Sequence, residues 1–193
     1  MRILCIGDVV GSIGCEFLRN NLPTLKKVKG VDFVICNGEN SADGNGLTPV
    51  SAKHLFDSGV DAITLGNHSF RRKEVYDCLD SNPFIVRPAN FSPKNSTPGK
   101  GIINVDTGRR IVSIINIMGN SYMDNNLNCA FECVDKMIKQ AESKIILLIF
   151  MQRQQVKKGQ WVITLTAEFP QCSEHIPMFR PLTHRFSRRE PVT

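Results

Sequence analysis

Val31-Asp32-Phe33-Val34-Ile35-Cys36-Asn37-Gly38-Glu39-Asn40 decides the fold class. The first six residues are mostly β-branched, aromatic or apolar. The run is too short for a core helix and too continuous for a strand with one wet face, so it reads as a strand covered on both sides. It then breaks into Asn-Gly-Glu-Asn, a turn that leaves a carboxylate and two amides at the strand's carboxyl end.

The same pattern recurs on both sides of this stretch. Residues 2–7 read as a short buried strand ending at Gly7-Asp8. Ala62-Ile63-Thr64-Leu65 is a third strand, ended by Gly66-Asn67-His68, and Phe84-Ile85-Val86 a fourth, followed by Arg87-Pro88-Ala89-Asn90. Helical segments separate them. Residues 13–28 carry an apolar stripe of Phe17, Leu18, Leu22 and Leu25, against which Pro23 argues. A second helix, capped by Thr48 or Ser51, runs through about Ser58. A third covers 72–80. Beyond them, 101–106 and 110–117 read as a hairpin around Thr107-Gly108, 129–142 as a helix and 144–149 as a buried strand. Strands alternating with helices define an α/β protein with a mostly covered sheet.

Bulk composition agrees with a globular protein. Hydrophobic residues make up 41% and charged residues 22% of 193, enough for one sizeable core. No run approaches a membrane span, and the N-terminus lacks a signal peptide's apolar core, so the expected compartment is the cytoplasm. Seven cysteines without a C-x-x-C spacing fit reduced core thiols, as at Cys5, Cys36 and Cys78, rather than a zinc site. The net charge of +6 is uneven: residues 147–193 hold 7 Lys+Arg against 3 Asp+Glu, whereas 1–146 hold 17 against 15.

In sheets of parallel strands, ligands sit at the carboxyl ends. Asp8, Glu39-Asn40, Asn67-His68 and Asn90 each fall there. Any one of these motifs alone is an ordinary turn or helix entry; their joint occurrence after successive strands is what points to metal chemistry. Carboxylate, amide oxygen and imidazole suit hard or borderline divalent cations, and a carboxylate can bridge two of them. The Gly-Asp-Val-Val-Gly-Ser-Ile-Gly segment lacks the glycine order of a dinucleotide loop, and Asp8 stands where the backbone would have to approach a phosphate.

Six motifs in order make this specific: Gly7-Asp8-Val9-Val10-Gly11, Asn37-Gly38-Glu39-Asn40, Gly46-Leu47-Thr48, Gly66-Asn67-His68, Arg87-Pro88-Ala89-Asn90-Phe91 and Pro98-Gly99-Lys100-Gly101. Together they resemble the YmdB-like branch of the calcineurin-like metallophosphoesterases, from residue 1 to about 146. The resemblance implies a sandwich of β-sheets flanked by helices and phosphodiesterase activity on 2',3'-cyclic nucleotides. It also implies two divalent ions, iron or manganese with zinc as the alternative, which activate a hydroxide. By position, Asp8 and Asn67 resemble metal ligands and Glu39 the bridging carboxylate. Asn40 and His68 resemble the catalytic and substrate-binding pair, with Asn90 a further substrate contact. An imidazole titrates near neutrality and suits protonation of a leaving oxygen. Val10 stands where the wider superfamily has a His.

The resemblance stops near residue 147. A strand ending in Asp-Phe-His-Ala-Glu and a later Gly-Thr-His-Thr-His turn should supply three imidazoles, but the chain reads Leu148-Ile149-Phe150-Met151-Gln152-Arg153. Back-translated and read from the third base of each codon, the tail permits those segments in order. Met151-Gln152 then forces Ala, Trp161-Val162 forces Gly and Met178-Phe179 forces Val. The expectation is therefore a phosphoesterase domain over 1–146, incomplete at its C-terminus, and an out-of-family, frameshifted tail over 147–193. On this reading His175 and His184 are not ligands. The missing strands should expose apolar surface on 110–117 and 144–149, so that the chain could rely on self-association. The expected partner is a small phosphodiester or cyclic nucleotide, with no membrane. A homo-oligomer is open. Two alternatives stand beside the enzyme: an inactive remnant lacking its imidazoles, and, less favoured, a nucleic-acid binder using the basic tail. His54 and the Lys26-Lys27-Lys29 cluster read as solvated, and Phe131 and Met137 as a helix core stripe.

Overall fold

A computed structural model describes residues 1–91, 97–108, 110–119 and 127–151. The tail from Gln152 onward, including His175 and His184, lies outside the described residues. The elements run β1 Ile3–Asp8, α1 Gly11–Lys29, β2 Phe33–Asn37, α2 Pro49–Asp57, β3 Ala62–Thr64, a 3-10 turn Lys73–Val75 leading into α3 Tyr76–Ser81, and β4 Ile85–Val86. They continue with β5 Ile102–Asp106, β6 Ile111–Met118, α4 Ala130–Gln140 and β7 Ile146–Met151.

Two sheets form. β1-β2-β3-β4 is all parallel and in sequence order, and β5-β6-β7 pairs β5 antiparallel and β7 parallel to β6. Their inner faces meet in one apolar layer, with Phe33, Ile35, Ala62 and Val86 against Ile103, Val105, Val112, Ile114, Leu147 and Ile149. The outer face of the first sheet is covered by Leu18 and Leu22 of α1, Ala52 and Leu55 of α2, and Leu79 of α3. The outer face of the second is covered by Cys133 and Val134 of α4. The result is a helix–sheet–sheet–helix sandwich, as the sequence predicts.

Local chemistry explains the boundaries. The helix α2 starts on a capping box: the Ser51 N–H donates to Thr48 Oγ1 at 3.2 Å and the Thr48 N–H to Ser51 Oγ at 3.0 Å, with Pro49 at the first helical position. The helix α1 ends at Gly30 in the left-handed region (φ 58°), where only glycine is unstrained. It tolerates Pro23 because that residue is exposed and water can take the carbonyl that loses its partner.

Several expectations are corrected. Phe17 is 65% exposed and Leu25 also faces outward, because Cys15, Leu18 and Leu22 form the stripe that α1 buries. Phe131 is 70% exposed, whereas Met137 packs on the α4 core. His54 is half-buried, its Nε2 3.7 Å from Glu16 Oε1. Lys26 is not simply solvated: its ammonium donates to Gly59 O and Asp61 Oδ2, both at 2.9 Å. The strands expected to be exposed are buried. Val112 and Ile114 face the first sheet and Ile115 and Ile117 face α4, leaving Ile111 at the strand start exposed.

Candidate active site

Because the first sheet is parallel and nearly in register, its strand tips form one rim. Asp8 is level with Asn37, Asn37 with Thr64, and Thr64 with Val86. The loop after β2 is tightly held by the backbone. Gly46 N–H donates to Glu39 O at 2.7 Å, and Gly11 and Gly44 N–H donate to Asn40 O at 2.9 and 3.0 Å. This fixes Glu39 and Asn40 relative to the start of α1.

Asn40 links the other groups. Its Nδ2 donates to both Asp8 oxygens at 2.9 Å, and its Oδ1 lies 2.6 Å from His68 Nδ1. A carboxylate only accepts, so the orientation of the amide is determined and Oδ1 must face the imidazole. The proton therefore sits on Nδ1, and in the neutral ring Nε2 is the basic nitrogen. The His68 backbone N–H donates to Glu39 Oε2 at 2.9 Å. Asp8, Glu39, Asn40 and His68 are thus one connected group. Asn67 is half-buried at the same turn, and its side chain makes no hydrogen bond among the described residues.

Glu39 is fully buried, and its Oε1 has no hydrogen-bond partner among the described residues. Burial pushes its carboxyl up to about 7, partly offset by the His68 N–H and reinforced by the charge on Asp8. Asp8 is raised by burial and pulled down by Asn40 and His68. A buried carboxylate oxygen with no partner is costly unless a cation meets it. The donor set Asp8, Glu39 and Asn67 consists of the hard oxygens that a divalent cation prefers, so the residues present fit a metal on the oxygen-donor side. No group of three or more His, Cys, Asp and Glu able to hold a metal occurs among the described residues.

Gly66 shows how closely the site is packed. A Cβ there would stand 2.6 Å from Glu39 Oε2 and closer still to Met151 Sδ. The thioether at the end of β7 therefore shares the edge of the site with the carboxylate. Asn90 is brought to the rim, but its amide is occupied by the backbone: Nδ2 donates to Met118 O at 2.6 Å, and Oδ1 accepts from Met118 N–H at 3.0 Å. One bracing residue was missed. Asn116 is buried in β6, and its Nδ2 donates to Leu65 O at 2.6 Å and Val86 O at 3.0 Å, tying the second sheet to the tips of β3 and β4. The signal was a lone amide inside the run Ile-Ile-Asn-Ile.

A double sheet with such a rim is the architecture of the calcineurin-like phosphoesterases, and the comparisons agree. The model for the YmdB-like protein family matches residues 4–162, and the chain belongs to that family. It is 43% identical over 144 residues to the 2',3'-cyclic-nucleotide 2'-phosphodiesterase of Bacillus subtilis, covering 75% of this chain and 53% of that one. A hypothetical protein from Thermus thermophilus superposes with a TM-score of 0.73 at 36% identity, over 80% of this chain and 59% of that chain. A novel phosphatase from Mycoplasma pneumoniae also gives 0.73, at 26% identity, over 79% and 55%. The chain spans about half the length of the curated relatives it matches. No helix among the described residues is long and apolar enough to cross a membrane.

Proposed function

We propose that this chain carries the oxygen-donor half of a metal-dependent phosphodiesterase centre that acts on 2',3'-cyclic nucleotides. The observation that carries the reading is the buried, partnerless Glu39 Oε1 joined through His68 and Asn40 to Asp8. Asp8, Glu39 and Asn67 would hold divalent cations, iron or manganese. When bound, such ions neutralise the phosphoryl oxygens and favour attack by water. Asn40 holds Asp8 in place and keeps the Nδ1 proton of His68. His68, once protonated on Nε2, donates that proton to the leaving ribose oxygen. Asn90 acts one step back, by fixing the Met118 backbone beside the rim. Residues 1–146 correspond to the first part of the phosphoesterase domain, and the tail is the product of a shifted frame.

An inactive remnant is the second reading. It is favoured by the lack of any cluster of three metal-binding side chains among the described residues and by the Met151 thioether against Gly66. The test compares this chain with a version whose frame is restored past codon 147, measuring bound iron and manganese and hydrolysis of 2',3'-cyclic AMP. Turnover by the restored version that is lost in Glu39→Gln supports the metal-dependent reading. Turnover by the restored version alone makes this chain a remnant. If neither form hydrolyses a phosphodiester, the proposal fails.

A further inference from the structure

The two loops that meet in the site are also joined outside it, by one side chain. Arg72 follows the His68 turn, which is closed by the Ser69 N–H to Gly66 O and the Arg71 N–H to His68 O, both at 3.1 Å. From there its side chain crosses to the loop after β2. Its Nε donates to Asn45 O at 3.0 Å, and its guanidinium stands 3.9 Å from Asp43 Oδ2. Gly46 makes the crossing possible: a Cβ there would stand 2.7 Å from Arg72 Cγ, so the methylene stem lies directly on the glycine.

The loop that Arg72 grips is the one that carries Glu39 and Asn40. Gly44 N–H donates to Asn40 O at 3.0 Å and Gly46 N–H to Glu39 O at 2.7 Å, and Asn45 sits between these two anchors. At the inner edge the same two loops meet through the His68 N–H on Glu39 Oε2 at 2.9 Å and His68 Nδ1 on Asn40 Oδ1 at 2.6 Å. Loops tied at one edge alone can rock about that contact; a second tie on the outer edge removes the freedom. Of the two contacts Arg72 makes, the carbonyl bond is the one that counts. The Asp43 side chain is 91% exposed, and an ion pair so open to water contributes little.

We infer that Arg72 is a positioning residue for the candidate active site, its Nε–H holding the loop of Glu39 and Asn40 at a fixed separation from the turn of His68. It touches no reacting group. The role rests on the phosphodiesterase reading of Asn40 and His68, but the clamp is measurable without turnover. Arg72→Met keeps the stem over Gly46 and removes the donor. Arg72→Gln puts an amide nitrogen where Nε stood, the same number of bonds from the backbone, and removes the charge.

The long-range nitrogen–proton spectrum of the His68 ring in the full chain, taken where the ring is neutral, reads which nitrogen carries the proton. Wild type and Arg72→Gln should hold the proton on Nδ1, and Arg72→Met should give a mixture of tautomers. Gly30→Ala strains the left-handed cap of α1 at the opposite end of the sheet and should leave the ring as in wild type. In the frame-restored chain Arg72→Met should lower kcat about tenfold with KM little changed, and Arg72→Gln should recover most of it. A mixed tautomer in wild type, an unchanged spectrum in Arg72→Met, a mixture equally produced by Gly30→Ala, or an Arg72→Gln that behaves as Arg72→Met would each overturn the inference. A frame-restored chain without turnover defeats the phosphodiesterase reading instead, and the ring spectrum still decides the clamp.

Discussion

At the scale of single residues, Asn40 and Asn116 do different work with the same side chain. Asn40 is a junction between a carboxylate and an imidazole, so its removal should be felt in turnover. Asn40→Ala in the frame-restored chain is expected to lower kcat by about 100- to 1,000-fold with a smaller change in KM. Steady-state hydrolysis of a cyclic nucleotide checks this, and an unchanged kcat would remove Asn40 from the machinery. Asn116 instead serves two backbone carbonyls inside the sandwich. Asn116→Ala takes the donor from Leu65 O, while Val86 O keeps the Leu65 N–H at 3.0 Å, and should cost about 1–3 kcal/mol in urea unfolding. The polar strand tips were legible in the sequence because turns interrupt apolar runs conspicuously. The backbone bonds of Asn90 and Asn116 were not, because they depend on how the two sheets approach each other.

At the scale of elements, β2 and its loop are the best specified part of the chain. An apolar strand, a glycine-bearing turn and a capped helix follow one another, each step supported by local chemistry. Thr48→Ala removes one half of the capping box and is expected to destabilise the protein by about 1 kcal/mol, read as a shift in the denaturant midpoint at constant slope. The helix α1 is the opposite case. Its sequence carries two apolar stripes, and periodicity alone cannot say which one is buried. Cys15, Leu18 and Leu22 face the sheet because the β1–β2 crossover lays the helix down on that side. The choice leaves Phe17 and Ile13 exposed on the far side of the helix.

At the scale of the whole molecule, two sheets bring groups distant in sequence to one edge. If Asp8, Glu39 and Asn67 hold a divalent cation, manganese should raise the thermal midpoint of the chain and EDTA should reverse the effect. At about a hundredfold excess over Kd the gain is about 2.7 kcal/mol. Asp8→Ala should abolish the shift, and a midpoint indifferent to manganese would leave this chain without a metal site. The burial of β6 and β7 belongs to the same scale. β6 lies between β5 and β7, and both β6 and β7 are covered on one face by the first sheet and on the other by α4, which is what keeps their apolar side chains buried.

The sequence by itself determined the order of strands and helices and the polar tips at their ends. These are local matters of periodicity, capping and turn chemistry. Only the tertiary structure decided which face of α1 is covered, that Asn90 and Asn116 brace the backbone, and that Met151 crowds Gly66 beside Glu39. Those outcomes depend on contacts between segments far apart in the chain, whose distances no local pattern encodes.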